Sequence, residues 1–375
     1  MASCYLPKDI CMEILSRLPV KSLLRFRCVC KSWCALTKDP IFIDKHLLLN
    51  RATLSNNDFP LIVGYCEELT GKSVVSLIPT ETLEMFVHPD PESFNTKFEH
   101  FSGPCNGIYL LGDEVHDYLC NPALRQLKAL PDFPTEQPNS KNHCLGFGFD
   151  SKTNDYKVIA ITEGSSSCPE AQVFAYTLSA DSWRKIDVVL PFNAKMFSYG
   201  PRFQTRQDGV LHWWAEDGDD TVIVSFDFAD EVFQKTQLPD VGLHPDEIEV
   251  DLVVFNDSIA LIVYPPLDED DYEMGISCDV WVMKESGVRV SWSKLLRIEP
   301  SLGIASVMGL WRNGQILLEK DVGDYRQLVL YDPRSQEFKK NIQFHGIQGS
   351  AYVVTYMESL VSIKGGNQGN IDNSF

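Results

Sequence analysis

Hydrophobic and polar residues follow two different periods along the chain, and the change falls near residue 50. Before it, apolar residues recur at the i, i+4, i+5 and i+8 spacing of an amphipathic helix. After it, they gather in short β-branched runs that Gly, Pro, Asn and Asp interrupt, as expected of strands joined by tight turns. The pattern therefore predicts a multidomain α + all-β chain, with a small helical unit followed by an all-β body.

The helical unit is predicted to hold three short helices in residues 1–50. The first ends at Leu18-Pro19, since the residue before a proline disfavours the helical region, and the third ends at Asp39-Pro40. A domain of about 45 residues buries too little apolar surface to be stable alone. We therefore expect part of its apolar surface to face another protein.

The strands after residue 50 belong to a repeat. In each unit an Asn-Gly or Asp-Gly turn, or a variant of it, leads into an apolar strand, and a polar turn follows further on. Successive polar turns are separated by 59, 49, 57 and 46 positions. A period of about 50 residues, with strands and no helices, is typical of kelch-type propeller blades. The polar turns are Asn121-Pro122, Ala180-Asp181, Ala229-Asp230, Ser286-Gly287 and Asp332-Pro333.

This period predicts a β-propeller of about six kelch-like blades. The sixth blade would combine residues near 60–100 with the C-terminal strands in 351–364, which closes the ring. We therefore divide the chain into a helical domain at 1–50, a propeller at 51–364 and a polar, disordered tail at 365–375.

Charge separates the two folded parts. Residues 1–50 contain eight Lys and Arg against four Asp and Glu, which is +4, so the total of −19 leaves −23 for the remainder. Such a body repels nucleic-acid phosphates and anionic membranes and attracts basic proteins. The alternative is that the acidic surface serves solubility alone.

Several acidic residues of the body form clusters that are candidates for binding a basic protein. None of the clusters has the twelve-residue spacing of a calcium loop. The alternative interpretation is a set of solvated loops between strands. The candidates are Glu216, Asp217, Asp219, Asp220, Asp246, Glu247, Asp268, Glu269, Asp270 and Asp271.

The sequence offers no pattern typical of an enzyme, a metal site or a cofactor site. Its eleven cysteines are odd in number and contain no CxxC pair, and its histidines do not stand at ligand spacing. A nucleophile-elbow motif is also missing. Because neither a signal peptide nor an apolar run of about 18 residues is present, we expect a soluble protein with reduced thiols in the cytoplasm, with the nucleus as the alternative.

The N-terminal stretch resembles an F-box over about 45 residues. Five elements agree with that motif in order and spacing: Leu6-Pro7, Ile14-Leu15, Leu18-Pro19, Val20–Leu24 and Val29–Trp33. The body resembles the plant F-box-associated domain with kelch-like repeats, and within it the S-locus F-box and related pollen proteins. The matching segments are GFGFDSKTNDYKV (146–158), Ser182-Trp183, VSFDFADEVF (224–233) and WVM (281–283).

The resemblance implies that the helices bind a Skp-type adaptor and thereby join a cullin-RING ubiquitin ligase. The chain would then do no chemistry and would act by holding a target near the ubiquitin carrier. Some of the implied contacts must instead pack the helical unit itself, and the sequence leaves open which. The implied adaptor contacts are Leu6, Pro7, Ile10, Ile14, Leu15, Leu18, Pro19, Leu23, Leu24, Val29, Cys30 and Trp33.

The target implied by the resemblance is an S-ribonuclease, a generally basic secreted protein of the pollen self-incompatibility system. A body of −23 is a plausible complement to such a protein. Two other functions stay open at this point. The chain could be an F-box receptor for an unrelated signalling or metabolic protein, or its propeller could be a hydrolase or a sugar binder.

Overall fold

A computed structural model of the chain describes most of the helical region and the framework of the body. The described residues are 7–54, 60–66, 73–78, 86–87, 100–113, 116–132, 134, 143–162, 171–191, 204–205, 209–217, 220–243, 248–255, 258–266, 276–286, 289–299, 304–310, 314–322, 325–344 and 352–364. The predicted tail at 365–375 lies outside them.

The helical module consists of α1 (Lys8–Leu15), α2 (Val20–Phe26), α3 (Lys31–Leu36) and α4 (Pro40–Leu54). The first three helices are those predicted, and α4 adds a fourth. The third helix ends at Leu36, before the predicted end at Asp39-Pro40. Asp39-Pro40 instead starts α4, because the Asp39 carboxylate accepts the N–H of Ile41 at 3.0 Å and a proline is well tolerated as the first helical residue. The helix α4 runs past the predicted boundary at residue 50.

The body is a propeller of six four-stranded antiparallel blades. This confirms the predicted all-β fold and its six blades. The strands are β1 (Leu61–Cys66), β2 (Ser73–Ile78), β3 (Phe86–Val87), β4 (His100–Cys105), β5 (Ile108–Gly112), β6 (Asp117–Asn121), β7 (Gln126–Ala129), β8 (His143–Asp150), β9 (Asp155–Thr162), β10 (Gln172–Thr177), β11 (Ser182–Ile186), β12 (Gln204–Thr205), β13 (Val210–Asp217), β14 (Asp220–Asp227), β15 (Val232–Gln237), β16 (Glu249–Phe255), β17 (Ser258–Tyr264), β18 (Cys278–Ser286), β19 (Arg289–Ile298), β20 (Ile304–Leu310), β21 (Ile316–Val322), β22 (Tyr325–Asp332), β23 (Glu337–Phe344) and β24 (Tyr352–Thr355).

The ring closes through strands from both ends of the body, as the sequence predicted, but of the predicted C-terminal strands in 351–364 only Tyr352–Thr355 forms a strand, and residues 356–363 are irregular. Blade 1 has the order β24-β1-β2-β3, and β24 pairs antiparallel with β1 from Leu61↔Thr355 to Gly64↔Tyr352. Blades 2 to 6 each use four consecutive strands, beginning with β4, β8, β12, β16 and β20. These first strands contact one another around the axis, and β24 contacts β20 and β4 in the same way. The last strand therefore takes the innermost place in blade 1.

The predicted turns lie where the repeat requires them. Asn106 and Gly107, between the first two strands of blade 2, have φ angles of 53° and 75°, which Asn and Gly tolerate best. The polar turns fall between the third and fourth strands of blades 2 to 6, although Gly287 of the fourth turn lies outside the described residues.

Tryptophan side chains connect neighbouring blades. Trp183 Nε1 in β11 donates to the carbonyl of Pro131, which follows the last strand of the preceding blade, at 2.9 Å. In blade 5, Trp292 Nε1 donates to the Gln237 carbonyl of blade 4 at 3.0 Å, so the same device recurs.

The two faces of the propeller differ in which turns form them. Because the strands of a blade alternate in direction, the turns between strands one and two and between strands three and four lie on one face. The turns between strands two and three and the connections between blades lie on the other. We call the first the module face, because Arg51 of α4 contacts Asn106 there and the core of the helical module includes Ala123 and Leu124. The second is the far face.

Candidate functional site

Several predicted adaptor contacts are exposed on the helical module. The exposed fractions are 46% for Ile10, 52% for Ile14 and 60% for Val29. Large apolar side chains left in water on so small a unit mark a surface that binds another protein. The exposed apolar set, as we name it, comprises Pro7, Ile10, Ile14, Pro19, Val29 and Cys30.

Other residues of the prediction lie inside the module. Leu15 and Leu23 are buried and form its core with Val20, Leu36 and Phe42. The sequence left open which of the implied contacts pack the module itself. Leu15 and Leu23 hold the helices together and do not lie on the surface. The partly buried Leu18, Leu24 and Trp33 pack against that core, and Leu6 lies outside the described residues.

Several basic side chains of the helical module are exposed, as the exposed apolar set is. Lys8, Arg17, Lys21, Arg25 and Lys31 are all exposed. The one carboxylate of α1's middle turn, Glu13, is paired with Lys45 and Arg17, whose hydrogen bonds lower its pKa to about 2. Glu13 therefore stays ionised and paired, and Asp9 is the exposed acidic residue of α1 among these basic side chains.

Sequence reasoning missed two exposed apolar residues on α4. Ile41 and Leu48 are 69% and 62% exposed and stand seven positions apart, which places them on one side of the helix. The apolar run IFIDKHLLL (41–49) is a sequence signal for this helix, whereas the Asp39-Pro40 pattern predicts only the end of the preceding helix. Leu48 lines a cleft between α4 and the propeller together with Asn106 and Tyr156, so the exposed apolar surface of the module continues beyond the first three helices into that cleft.

The structure describes part of the predicted acidic site. Asp220, at the start of β14, is exposed, and Asp217, at the end of β13, pairs with Lys235 at 2.7 Å. Glu216 lies in β13. Asp219, Asp246, Glu247, Asp268, Glu269, Asp270 and Asp271 lie outside the described residues.

The strands that flank the acidic clusters all end at the far face. Residues 218–219 join strands two and three of blade 4, and residues 267–275 fall between strands two and three of blade 5. Residues 244–247 fall in the connection from blade 4 to blade 5. The described strand ends on either side of the three clusters therefore lie on one side of the propeller, opposite the helical module.

In the described part of the chain, no group of three or more His, Cys, Asp and Glu side chains could hold a metal ion. Among the helices of that same part, none combines the length and apolar character needed to cross a membrane.

Two family models match the chain. One, described as F-box-like, matches residues 3–50, and the other, described as F-box associated beta propeller domain, matches residues 70–361. The two matches correspond to the helical module and the propeller.

Curated relatives from Arabidopsis thaliana match over most of their length. An F-box/kelch-repeat protein is 28% identical over 367 residues, which covers 95% of each chain. Another F-box protein is 27% identical over 95% of this chain and 91% of its own length, and the F-box protein CPR1 is 27% identical over 80% of this chain and 75% of its own length.

Among solved structures, a protein from Lactobacillus plantarum aligns at 11% identity over 79% of this chain and 99% of its own, with a TM-score of 0.43, which is too low to bear on function. The chain belongs to the family of F-box proteins that carry an F-box associated beta propeller domain.

Proposed function

We propose that this protein is the substrate receptor of a Skp–cullin–F-box ubiquitin ligase in the cytoplasm. Its helical module would bind a Skp-type adaptor, and its propeller would bind the target. The chain itself would carry out no chemical step, since a ligase receptor accelerates transfer by raising the concentration of target lysines near the ubiquitin carrier.

The observation that carries this proposal is the exposed apolar set on a family-defined F-box. Ile10, Ile14 and Val29 lie outside the core of the module. A partner can therefore cover them without disturbing the packing within the module. Burying each of them on binding would contribute roughly 1 to 2 kcal/mol at about 25 cal/mol per Å² of apolar surface. Apolar anchors of this kind dominate the energetics of protein interfaces.

The test is capture of a purified Skp-type adaptor by the full chain. We expect the double variant Ile10→Asp/Ile14→Asp to weaken capture at least tenfold while the protein keeps its melting temperature, since both side chains are exposed. Val189→Asp is the matched control, because Val189 is 90% exposed on the propeller and should leave capture unchanged. Leu23→Asp is unsuitable, because Leu23 is fully buried and the variant would unfold the module. Equal capture by the wild type and the double variant would contradict the proposed docking surface.

For the target we propose a basic protein, with an S-ribonuclease as the specific candidate. The support is the charge of −23 outside the first 50 residues, together with the far-face position of Asp217, Asp220 and the strand ends that flank the other two acidic clusters. A target bound there would sit on the side of the propeller opposite the adaptor-binding helices. Charge would speed association, whereas pockets between the loops would decide which protein is bound.

The salt dependence of binding tests the charge argument. The association rate of a purified S-ribonuclease should fall steeply between low and physiological ionic strength, because the Debye length shortens to about 8 Å at 0.15 M. An acidic protein of similar size is the control and should not bind. Binding of the ribonuclease without salt dependence would show that charge does not contribute to its recognition. The absence of binding at every salt concentration would exclude the ribonuclease as the target and leave the ligase proposal intact.

A further inference from the structure

A short segment that follows the last strand lies between the two parts of the molecule. After β24 ends at Thr355, residues 356–363 run as irregular chain along the module face. Within it Met357, Ser359, Leu360 and Ile363 are buried although the segment has no regular secondary structure. We name residues 356–363 the C-terminal strap.

One side of the strap is fixed to blade 2 of the propeller. The fully buried Asn121 donates from its side-chain amide to the carbonyls of Ser359 and Val361, at 3.2 and 2.7 Å. Further along, the N–H of Ile363 donates to the side-chain carbonyl of Gln126 at 3.0 Å. These bonds satisfy backbone groups that would otherwise be buried without partners.

The turn between β4 and β5 also fits closely against the strap. A Cβ atom added at Gly107 would lie 2.3 Å from the carbonyl oxygen of Met357, and the φ of Gly107 is +75°. Both the turn and the approach of the strap therefore require glycine at this position. The strap is thus seated on the propeller by backbone shape as well as by hydrogen bonds.

The other side of the strap holds the helical module. Glu358 accepts the backbone N–H of Val20, the first residue of α2, at 2.7 Å, and this N–H has no partner within its helix. Asn50 in α4 donates to the carbonyl of Glu358 at 3.2 Å. Leu360, which is 2% exposed, belongs to the same core as Leu15 and Leu23. The core of the helical module therefore includes Leu360, which is distant from the four helices in sequence.

We infer that the C-terminal strap sets the orientation of the adaptor-binding helices relative to the propeller, and that Glu358 is its positioning residue. This inference rests on the proposed function, since orientation matters only if one part binds the adaptor and the other the target. Residues 55–59, which lead from α4 to β1, lie outside the described part. The strap adds the contact to the start of α2 to the contacts that Arg51, Ala123 and Leu124 make between the module and the propeller. A receptor held in one orientation presents only part of its target's surface to the ubiquitin carrier.

The orientation can be measured without any partner. Fluorescent dyes are attached at exposed Arg25 in α2 and at Glu299, which follows β19, through a ketone-bearing amino acid, because the chain contains many cysteines. We expect a narrow distribution of dye distances in the wild type and a distribution at least twice as broad in Glu358→Ala. Glu358→Gln should restore the narrow distribution, because the amide oxygen still accepts the N–H of Val20. Glu337→Gln, an exposed residue of β23, is the matched control and should match the wild type.

The effect of the strap on the positioning of lysines is measured in the reconstituted ligase, where the lysines of the receptor itself accept ubiquitin. We expect ubiquitin to concentrate on a few lysines of the wild-type propeller, and the share of the most modified lysine to fall at least twofold in Glu358→Ala but not in Glu358→Gln. A protein that was merely destabilised would lose total transfer without changing this distribution.

The possible failures are distinct. A broadened dye distribution with no capture of the adaptor would contradict the proposed function and leave the strap's structural role standing. Adaptor capture and ubiquitin transfer with the same dye distribution and the same lysines in Glu358→Ala as in the wild type would overturn the inference about Glu358.

Discussion

The two faces of the propeller use acidic residues in opposite ways. On the module face, Asp150 and Glu231 both lie 2.6 Å from the ammonium group of Lys157, and all three side chains are largely removed from water. On the far face, Asp220 is exposed and the pair between Asp217 and Lys235 is about a third exposed. Acidic residues therefore hold blades together on the module face, whereas on the far face they remain available for long-range attraction.

The module face gains its rigidity from contacts between blades. Lys157 in blade 3 also donates to the carbonyl of Phe228 in blade 4, at 3.3 Å, and Arg184 pairs with Glu231 across the same boundary. Burial would raise the pKa of Asp150, but hydrogen bonds from Lys157 and Thr153 and from two backbone N–H groups lower it to about 2. The segment 146–158, which carries part of the family resemblance, thus has a structural reason for its Asp and its Lys.

The largest predicted effect comes from removing the shared cation of this network. Lys157→Met should destabilise the protein by about 3 to 5 kcal/mol, because it leaves two carboxylates near each other with one cation fewer. Lys235→Met is the matched control on the far face, and there we expect no more than about 0.5 kcal/mol, since its pair with Asp217 is partly solvated. Urea unfolding of both variants measures the difference. Equal losses would show that the two faces do not differ in how they use charge.

The second effect concerns the strap on the module face. Leu360→Ala should cost about 3 kcal/mol, because it removes a buried side chain from the core that Leu15 and Leu23 share. The loss should appear in amide exchange of α1 and α2 more than in that of the blades. Leu295→Ala is the control, since Leu295 is 48% exposed in β19 and its truncation should cost little. Unchanged exchange in α1 and α2 would mean that the module is stable without the strap.

The framework of the fold could be predicted from the sequence, because it depends on local patterns. Turn residues and β-branched runs recur in every blade, and the closure by 352–355 follows from counting strands. The strap could not be predicted in this way. The hydrogen bond between Glu358 and Val20 joins residues 338 positions apart, and no periodicity in the sequence records such a contact.

The candidate site was predictable in composition but not in orientation. Ile14 and Leu15 are adjacent apolar residues of α1, and only the packing of the module shows that the first is exposed and the second buried. A helical period places them on neighbouring faces, but it does not identify which face meets the core when the other helices are unknown. For the same reason, Leu23 could not be distinguished from an adaptor contact before its burial was seen.

The third prediction uses acid to weaken the module face selectively. The pKa of Asp150 is about 2 in the folded protein and 3.8 in its ordinary state, so the folded state favours the ionised form. Its contribution, on the order of 2 kcal/mol, is fully present above pH 4 to 5 and is lost as the pH falls towards 2. Urea unfolding at several pH values should show that Asp150→Asn is less stable than the wild type at pH 7 and that the difference shrinks below pH 4. A difference that does not depend on pH would assign the role of Asp150 to shape alone.

The smallest predicted effect lies on the far face and concerns rate more than stability. Asp217→Asn/Asp220→Asn should leave the melting temperature nearly unchanged, because Asp220 is exposed and Asp217 belongs to a partly solvated pair. At low ionic strength the double variant should bind a basic target such as an S-ribonuclease about two- to threefold more slowly, and the difference should vanish at high salt, because the removed charges act through long-range attraction. Asp181→Asn/Asp230→Asn is the matched control: it also removes two charges, from the turns between β10 and β11 and between β14 and β15, which lie on the module face. Stopped-flow measurements at two salt concentrations separate the two faces, since an equal slowing by the control variant would mean that total charge guides the target and that the far face has no special role.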